Sequence, residues 1–135
     1  MSSSDFRSTG DGIIEHIVLF KAKPEADPSV VSAWISEINA LASLDSVLFI
    51  TAGPISRCYS DSFAFTHMIH SRYRTRADLY SYANDPAHLG VIDKYSKDVV
   101  DDIMAVDWSA GDLLSGREIP PPGSSVRATI LKPNE

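Results

Sequence analysis

The segment Tyr82–Gly90 carries the side chains of this sequence that are best suited to acid–base chemistry. It places two polar aromatic residues, Tyr82 and His88, on either side of the dipeptide Asp85-Pro86. Proline disfavours helix at the residue before it but suits the first position of a helix, so one helix should end before this dipeptide and another should begin at its proline. On an unbroken helix the two side chains would point roughly 240° apart, and only the break lets them converge.

The predicted second helix gives His88 a chemical environment of its own. His88 would lie in the first turn, where the positive end of the helix dipole disfavours an imidazolium. A neutral imidazole can accept a proton and so act as a general base. The Tyr82 hydroxyl could hold a substrate carbonyl or an enolate. Structural roles remain open beside these: His88 could bond the backbone at the helix start, and Tyr82 could be a core tyrosine with its hydroxyl at the rim.

Three strands and one helix are predicted ahead of this segment. β-Branched and aromatic residues bounded by turn signals indicate strands over 13–21, 47–52 and 63–73. Asp27-Pro28 opens a helix, because aspartate is a good cap and proline suits the first helical position. Apolar residues then recur at helical spacing as far as Ala42, so one side of this helix should pack on a sheet.

Alternation along the third strand sorts its two histidines onto opposite faces. His67 shares a face with Phe65, Ile69 and Tyr73, and His70 lies on the other. We assign the His67 face to a cavity between the sheet and the helices, although a satisfied core histidine explains the position equally well. His70 is expected at a subunit interface or at its rim.

His16, between Ile14 and Val18 on one face of the first strand, completes a set of three histidines with His67 and His88. Three imidazoles could bind zinc with an open position. The spacing does not support this, because there is no short His-x-His pair and no carboxylate visible in the sequence to orient a ligand. We therefore predict no metal and no cofactor.

The remainder of the chain closes the sheet and then changes character. A helix from Pro86 precedes a fourth strand over 103–108, in which Asp107 should pair structurally with Arg72, Arg74 or a capping N–H. Beyond it glycines and the run Pro120-Pro121-Pro122-Gly123 indicate an extended arm. The predicted organisation is a disordered arm over 1–12, a folded domain over 13–109 and an extended arm over 110–135, in which 126–131 could add an edge strand to a partner subunit.

The order β-α-β-β-α-β is that of the ferredoxin-like α+β fold. Its helices cover one face of a four-stranded antiparallel sheet, yet both faces of these strands are largely apolar. A second copy packing sheet against sheet would cover the other face. The predicted assembly is a homodimer with a barrel-like core.

The composition of the chain excludes several classes of binding partner. The net charge is -6 and hydrophobic residues make up 44%, as in an ordinary soluble domain. Nucleic acid and anionic membranes need clustered lysine and arginine, so neither is expected as a partner. No apolar run approaches the roughly 20 residues of a membrane span. One cysteine, Cys58, fits a reducing compartment, and we predict a cytosolic location.

The chain resembles the stress-responsive dimeric A/B-barrel (Dabb) family, which implies a ferredoxin-like protomer whose homodimer forms a β-barrel. The matching segments are spread over 13–109: His16-Ile17-Val18-Leu19-Phe20-Lys21, Phe65-Thr66-His67, Tyr82 with Asp85-Pro86-Ala87-His88, and Asp107-Trp108. The family includes plant heat-stable and stress-induced proteins, the polyketide cyclase that makes olivetolic acid, and a plant hydroxynitrile lyase.

The resemblance also implies roles for individual side chains. In the cyclase a histidine of a His-Pro-Ala-His segment is the base, a tyrosine six residues earlier assists, and one histidine on each of the first and third strands lines the pocket. The matching positions here are His88, Tyr82, His16 and His67. This sequence departs from the pattern at Asp85, where the family usually has the first histidine of the segment, and at Glu15, where lysine often precedes the first-strand histidine.

Two functions follow as predictions. The first is a stress-response protein that forms a stable homodimer and holds a small hydrophobic or polyketide-like ligand in a pocket lined by His16, His67, Phe65 and Ile69. The alternative is a cofactor-independent enzyme of the polyketide cyclase or hydroxynitrile lyase type. In it His88 is the general base and Tyr82 stabilises the enolate.

Overall fold

The computed structural model of the chain describes residues 12–60, 64–111, 120–121, 123–131 and 133. Its elements follow the predicted order, with the second helical region divided in two: β1 Ile13–Ala22, α1 Pro28–Ala40, β2 Phe49–Pro54, β3 His67–Tyr73, α2 Arg76–Ala83, α3 Pro86–Val99 and β4 Val100–Gly111. A 3-10 turn, Leu41–Ser43, extends α1. Nearly all of the predicted N-terminal arm, part of the predicted C-terminal arm and the start of the predicted third strand at Phe63 lie outside the described residues.

Side-chain caps begin all three helices, and those at Asp27 and Asp85 lie at the predicted positions. Asp27 and Asp85 each accept a hydrogen bond from the backbone N–H two residues on, at 2.9 and 2.8 Å, and each precedes a proline. Thr75 accepts from the N–H three residues on at 3.0 Å. These bonds satisfy donors that a helix leaves unpaired at its start. The cap at Asp85 ends α2 and starts α3 between Tyr82 and His88.

The sheet has the order β2-β3-β1-β4, and all neighbouring strands are antiparallel. The strand limits differ from those predicted. Residues 64–66 lie outside β3, although Thr66 still donates its backbone N–H to the Phe20 carbonyl at 2.7 Å. In contrast β4 is longer than predicted, because it begins at the residue after α3 with no loop between them. Residues 123–131 form no strand.

The main core lies between the sheet and the helices. The rings of Phe20 and Trp34 of α1 pack in a T-shaped arrangement with 4.9 Å between their centroids, so the first strand packs on the first helix through the predicted face. The core residues are each at most 9% exposed: Ile14, Val18, Phe20, Trp34, Ile38, Leu41, Val47, Ile50, Ile69, Tyr73, Leu79, Tyr82, Val91, Tyr95 and Val99. None of the helices in the described ranges is long and apolar enough to cross a membrane.

The other face of the sheet, which we call the outer face, holds a buried ionic cluster. Glu15 of β1 lies directly across from Arg72 of β3, and they are 4% and 8% exposed. The carboxylate accepts from Arg72 Nε at 3.0 Å and lies 2.9 Å from His70 Nε2. The Phe49 ring packs against both basic side chains, 5.2 Å from the His70 ring and 5.6 Å from the Arg72 guanidinium. The centre of this face is therefore charged, and the prediction of an apolar outer face is only partly right.

Substituting Glu15→Gln removes the negative charge of this cluster and keeps the side-chain volume. We expect the variant to lose about 3 kcal/mol in the free energy of unfolding, because the Arg72 guanidinium stays buried while the carboxylate it donates to is gone. Chemical denaturation of the wild type and the variant measures the loss. The control is Glu25→Gln, which alters an exposed carboxylate. Equal, small losses in both variants would contradict the prediction.

Candidate functional site

Four aromatic rings form a continuous row where α2 ends and α3 begins. The ring centroids of Tyr82 and His88 are 4.4 Å apart, so the helix break does bring these two side chains together. Tyr73 of β3 lies 5.3 Å from Tyr82, and His16 of β1 lies 6.3 Å from Tyr73. Ser71 adjoins this row, because its hydroxyl oxygen accepts a hydrogen bond from the Tyr73 hydroxyl. We call the five residues the polar corner: His16, Ser71, Tyr73, Tyr82 and His88.

The backbone determines which nitrogen of His88 carries a hydrogen. Its Nδ1 lies 3.0 Å from the carbonyl oxygen of Ala83 in the last turn of α2. A carbonyl oxygen only accepts, so Nδ1 must be the donor. In the neutral imidazole the lone pair is then on Nε2, which is the atom that can accept a proton. His88 can therefore bond the backbone through Nδ1, as its expected structural role requires, and still accept a proton on Nε2 as a general base.

Burial keeps the hydroxyl groups of Tyr73 and Tyr82 protonated. Tyr82 is 4% exposed, and burial raises its pKa to about 12, while the neighbouring Tyr73 side chain opposes the rise. Tyr73 is fully buried, and burial raises its pKa as well. Both phenols are therefore protonated across the neutral range. In this state each hydroxyl can donate a hydrogen bond, and that of Tyr73 donates to Ser71 Oγ at 2.9 Å.

His16 stands at the other end of the row. Burial lowers its pKa, the Asp107 carboxylate 3.9 Å from its Nδ1 opposes that effect, and nearby His88 reinforces it. This Nδ1 is buried and has no hydrogen-bond partner among the described residues. Asp107 also faces Arg76 of α2 at 3.8 Å. The Asp107 carboxylate thus lies beside His16 and Arg76, whereas the sequence predicted Arg72, Arg74 or a capping N–H as its partner.

The remaining predicted site residues lie farther along the sheet. His67 is the partner of Phe20 in the β1–β3 register, whereas His16 is the partner of Ser71. Four residues of strand separate these positions, roughly 13 Å. His67 instead packs edge-on against Trp34 at 5.8 Å. Ile69 is in the core between the two positions, and Phe65 is buried ahead of β3. The structure thus gathers His16, Tyr82 and His88, and places His67 and Phe65 elsewhere.

Contacts between the helices show which flank of α3 is open. Asn39 of α1 bonds both backbone groups of Ala52, so α1 covers the β2 side of the sheet. Lys94 and Tyr95 of α3 both donate to Glu37 of α1. The opposite flank of α3 therefore faces β4, at the far edge of the sheet.

That open flank is apolar and leads to the polar corner. Ile92, one helical turn after His88, is 45% exposed. The positions of β4 on the helix side are also exposed: Ile103, Ala105 and Asp107. We call the surface of Ile92, Ile103 and Ala105 the apolar strip. A small apolar molecule lying along it would have one end against Ile103 and the other against the imidazole of His88.

Two surface grooves lie away from the polar corner. One, of about 530 Å³, is lined by residues 43–46 with Asp78, Ser81 and Asp85. The second, of about 240 Å³, lies between α1 and α3 and includes Glu37, Leu41 and Val91. Neither is lined by the row of aromatic rings. Within the described ranges no group of three or more histidine, cysteine or acidic residues is placed to hold a metal ion.

Sequence reasoning missed three members of this environment. Tyr73 was placed on the correct strand face but was given no role, Ser71 was not singled out, and Asp107 was given other partners. The missing information is the register between β1, β3 and β4, which sets Ser71 and Asp107 on either side of His16. A search for polar residues on the helix-side faces of neighbouring strands would have found them.

Solved structures with related folds include proteins with and without a known activity. Hydroxynitrile lyase from Passiflora edulis is 16% identical, with 77% of this chain and 98% of that chain covered and a TM-score of 0.66. A dimeric ferredoxin-like protein of unknown function from Thermobifida fusca is 17% identical, with 73% and 91% covered and a TM-score of 0.62. At these identities the likeness shows the fold alone, which confirms the predicted ferredoxin-like α+β class.

Curated sequences and a family model identify the group. A stress-response A/B barrel domain-containing protein of Arabidopsis thaliana is 48% identical over 135 residues, which are 100% of this chain and 49% of that protein. The chain thus spans about half the length of the curated relatives it matches. Because residues 14–110 match the model of the Stress responsive A/B Barrel Domain, the chain belongs to this family, as its resemblance predicted.

Proposed function

We propose that this chain binds a small apolar ligand with an uncharged polar head, within a stress-response A/B barrel domain. The observation that carries the proposal is the apolar strip, in which Ile92 lies one helical turn from His88 of the polar corner. The ligand tail would lie on Ile92, Ile103 and Ala105, and the head would lie against the imidazole of His88, whose ring packs on Tyr82. Apolar pockets that end in a few convergent polar groups are typical of small-molecule sites.

The charge states of the side chains at the polar corner favour a ligand whose polar head is uncharged. Burial keeps His16 neutral at neutral pH, because it lowers a pKa that is ordinarily close to the neutral range. The charge of Asp107 is faced by Arg76. His88 Nε2 can accept a hydrogen bond, and the Tyr82 hydroxyl can donate one. A phenol, or a carbonyl compound that enolises, can bond to both groups without bringing a charge into the corner.

Pentylresorcinol, a neutral phenol with an alkyl tail, is a suitable probe for calorimetric titration. We expect Ile92→Asp and Tyr82→Phe each to weaken its binding about tenfold, since the first puts a charge beside the tail and the second removes one hydrogen bond. Tyr80→Phe is the matched control, because Tyr80 is exposed on the same helix as Tyr82. Unchanged binding in both test variants, or equal binding of the anion hexanoate, would contradict the proposal.

A cofactor-independent cyclase or lyase is the second candidate, and the orientation of His88 favours it. In the cyclase version His88 Nε2 takes a proton from a carbon next to a carbonyl, and the electron pair of the broken C–H bond forms an enolate. Tyr82 donates a hydrogen bond to the enolate oxygen. The enolate carbon then attacks a second carbonyl of the same molecule, and His88 returns the proton to the new alkoxide.

Turnover separates the two candidates. We expect a panel of polyketide thioesters and cyanohydrins to include a substrate whose conversion falls at least about a hundredfold in His88→Ala, because general-base catalysis contributes on that order. Product formation under single-turnover conditions is the measurement. Binding of pentylresorcinol with no His88-dependent turnover across the panel would leave the chain as a ligand-binding protein.

We also propose that the chain forms a homodimer through its outer face, in a reducing compartment such as the cytosol. On this face the β4 side presents apolar residues, of which Trp108 is 46% exposed and Val106 partly exposed. The dimeric ferredoxin-like protein from Thermobifida fusca supports the same assembly for this fold. A single cysteine in the sequence is consistent with the location.

Trp108→Lys tests the assembly. We expect it to convert the dimer to a monomer in analytical ultracentrifugation, because it places a charge in the middle of an apolar contact. Tyr59→Lys is the control, since Tyr59 is 77% exposed on the loop after β2. A wild-type chain that sediments as a monomer at micromolar concentration would refute the proposed dimer.

A further inference from the structure

The edge of the sheet at β4 carries backbone groups that no described strand pairs with. β4 is the last strand in the order β2-β3-β1-β4, and among the described strands it pairs with β1 alone. Phe20 of β1 lies across from Ile103, and its carbonyl accepts a hydrogen bond from the chain just ahead of β3. Such a pair exchanges no hydrogen bond between β1 and β4, so the backbone groups of Ile103 point away from β1. Those of Ala105 and Asp107 do the same, because alternate residues of an antiparallel strand bond to the same side.

Apolar side chains are exposed on both faces of this edge. On the helix side these are Ile103 of β4 and, on the open flank of α3, Ile92. On the outer face Trp108 is exposed as well. A further strand beside β4 would cover apolar surface on both faces and would bond to the edge groups, which form a template for pairing with another chain. The other edge of the sheet is less suited, because β2 has six residues and ends at Pro54, which has no N–H to donate.

The segment 126–131, which we call the arm segment, has the sequence pattern of a strand but no strand partner. Three of its six residues are β-branched, and alternation places Val126, Ala128 and Ile130 on one side. Val126, Ile130 and Leu131 are all exposed. Within the described ranges none of its backbone groups makes a hydrogen bond to another residue. The arm segment therefore has the pattern and the free backbone groups that a fifth strand of the sheet requires.

Charge complementarity favours the arm segment as the occupant of this edge. β4 carries three acidic residues and no basic one: Asp101, Asp102 and Asp107. Two β4 strands side by side would bring these like charges together, which destabilises a pair of strands. Residues 124–132 carry Arg127 and Lys132 and no acidic residue. The charge of the β4 edge thus attracts the arm segment and repels a second β4.

We propose that the arm segment of one copy of this chain adds to the β4 edge of a second copy, as a fifth strand of its sheet. Backbone hydrogen bonds to Ile103, Ala105 and Asp107 hold the arm segment, and its Val126 and Ile130 cover the apolar side chains on one face of the edge. The exchange is reciprocal, so a two-fold axis relates the copies and the assembly closes as a dimer. Within one chain the arm segment forms no strand, which leaves it available to a partner. The contact requires no ligand, and it lies at the sheet edge instead of on the outer face.

Amide hydrogen exchange in the full chain, followed by NMR without ligand, measures this contact. In a single chain the N–H groups of Ala105 and Asp107 have no strand partner and exchange rapidly, whereas strand addition protects them. We expect both to exchange at least about tenfold more slowly in the wild type than in Ile130→Asp, which puts a charge on the apolar side of the arm segment. Ser125→Asp changes the net charge equally just outside the arm segment and should keep the protection. The Val106 N–H points to β1, so it should stay protected in every variant and shows that the sheet remains folded.

A cross-link identifies the chain that supplies the arm segment. Benzoylphenylalanine replaces Thr129, and isotope-labelled and unlabelled chains are refolded together before irradiation. We expect mass spectrometry to find cross-links to residues 103–107, including pairs that join a labelled chain to an unlabelled one.

Equal exchange rates of Ala105 and Asp107 in the wild type and in Ile130→Asp would overturn the proposal. Cross-links to β4 that never join a labelled chain to an unlabelled one would assign the arm segment to its own chain and refute the exchange between copies. A dimer in which these two amides are unprotected would keep the outer-face contact and refute the strand addition, so the two interfaces are tested separately.

Discussion

The antiparallel pairing of β1 with β3 is the constraint on which both polar groups of the sheet depend. Its register sets Glu15 across from Arg72 on the outer face and His16 across from Ser71 on the helix side. Side chains alternate along a strand, so a slip of one residue would exchange the two faces. A slip of β1 would bring Glu15 into the helix-side core without Arg72, and it would move the corner histidine out of that core. Both the ionic cluster and the corner histidine therefore destabilise a register that is shifted by one residue.

Local signals were sufficient for the element order and for the centre of the candidate site. The pairs Asp27-Pro28 and Asp85-Pro86 predicted two helix starts, because the cap and the proline act within one turn of the chain. The same argument predicted that Tyr82 and His88 would meet. Alternation predicted the helix-side face of the first strand for the same reason, since the period of a strand is a property of adjacent residues.

Local sequence signals did not predict the contacts between residues that are distant in the sequence. Alternation gives the face of His67 but not its neighbours, and the register sets it beside Phe20 and Trp34 instead of the corner. The outer face was expected to be apolar because Glu15 was considered without Arg72, which is 57 positions away. Both differences have one physical origin: pairing between strands is determined by the energy of the whole sheet, whose members are far apart in sequence.

The direct junction between α3 and β4 limits how this chain can vary in length. Val99 ends the helix, Val100 begins the strand, and no spacer separates them. An inserted residue would have no loop to absorb it, so it would either rotate the helix by roughly 100° or shift β4 along β1. Either change would move Asp107 away from His16. Insertions and deletions should therefore be excluded at this joint and tolerated in the segment between β2 and β3, which makes the joint a fixed point for aligning distant sequences.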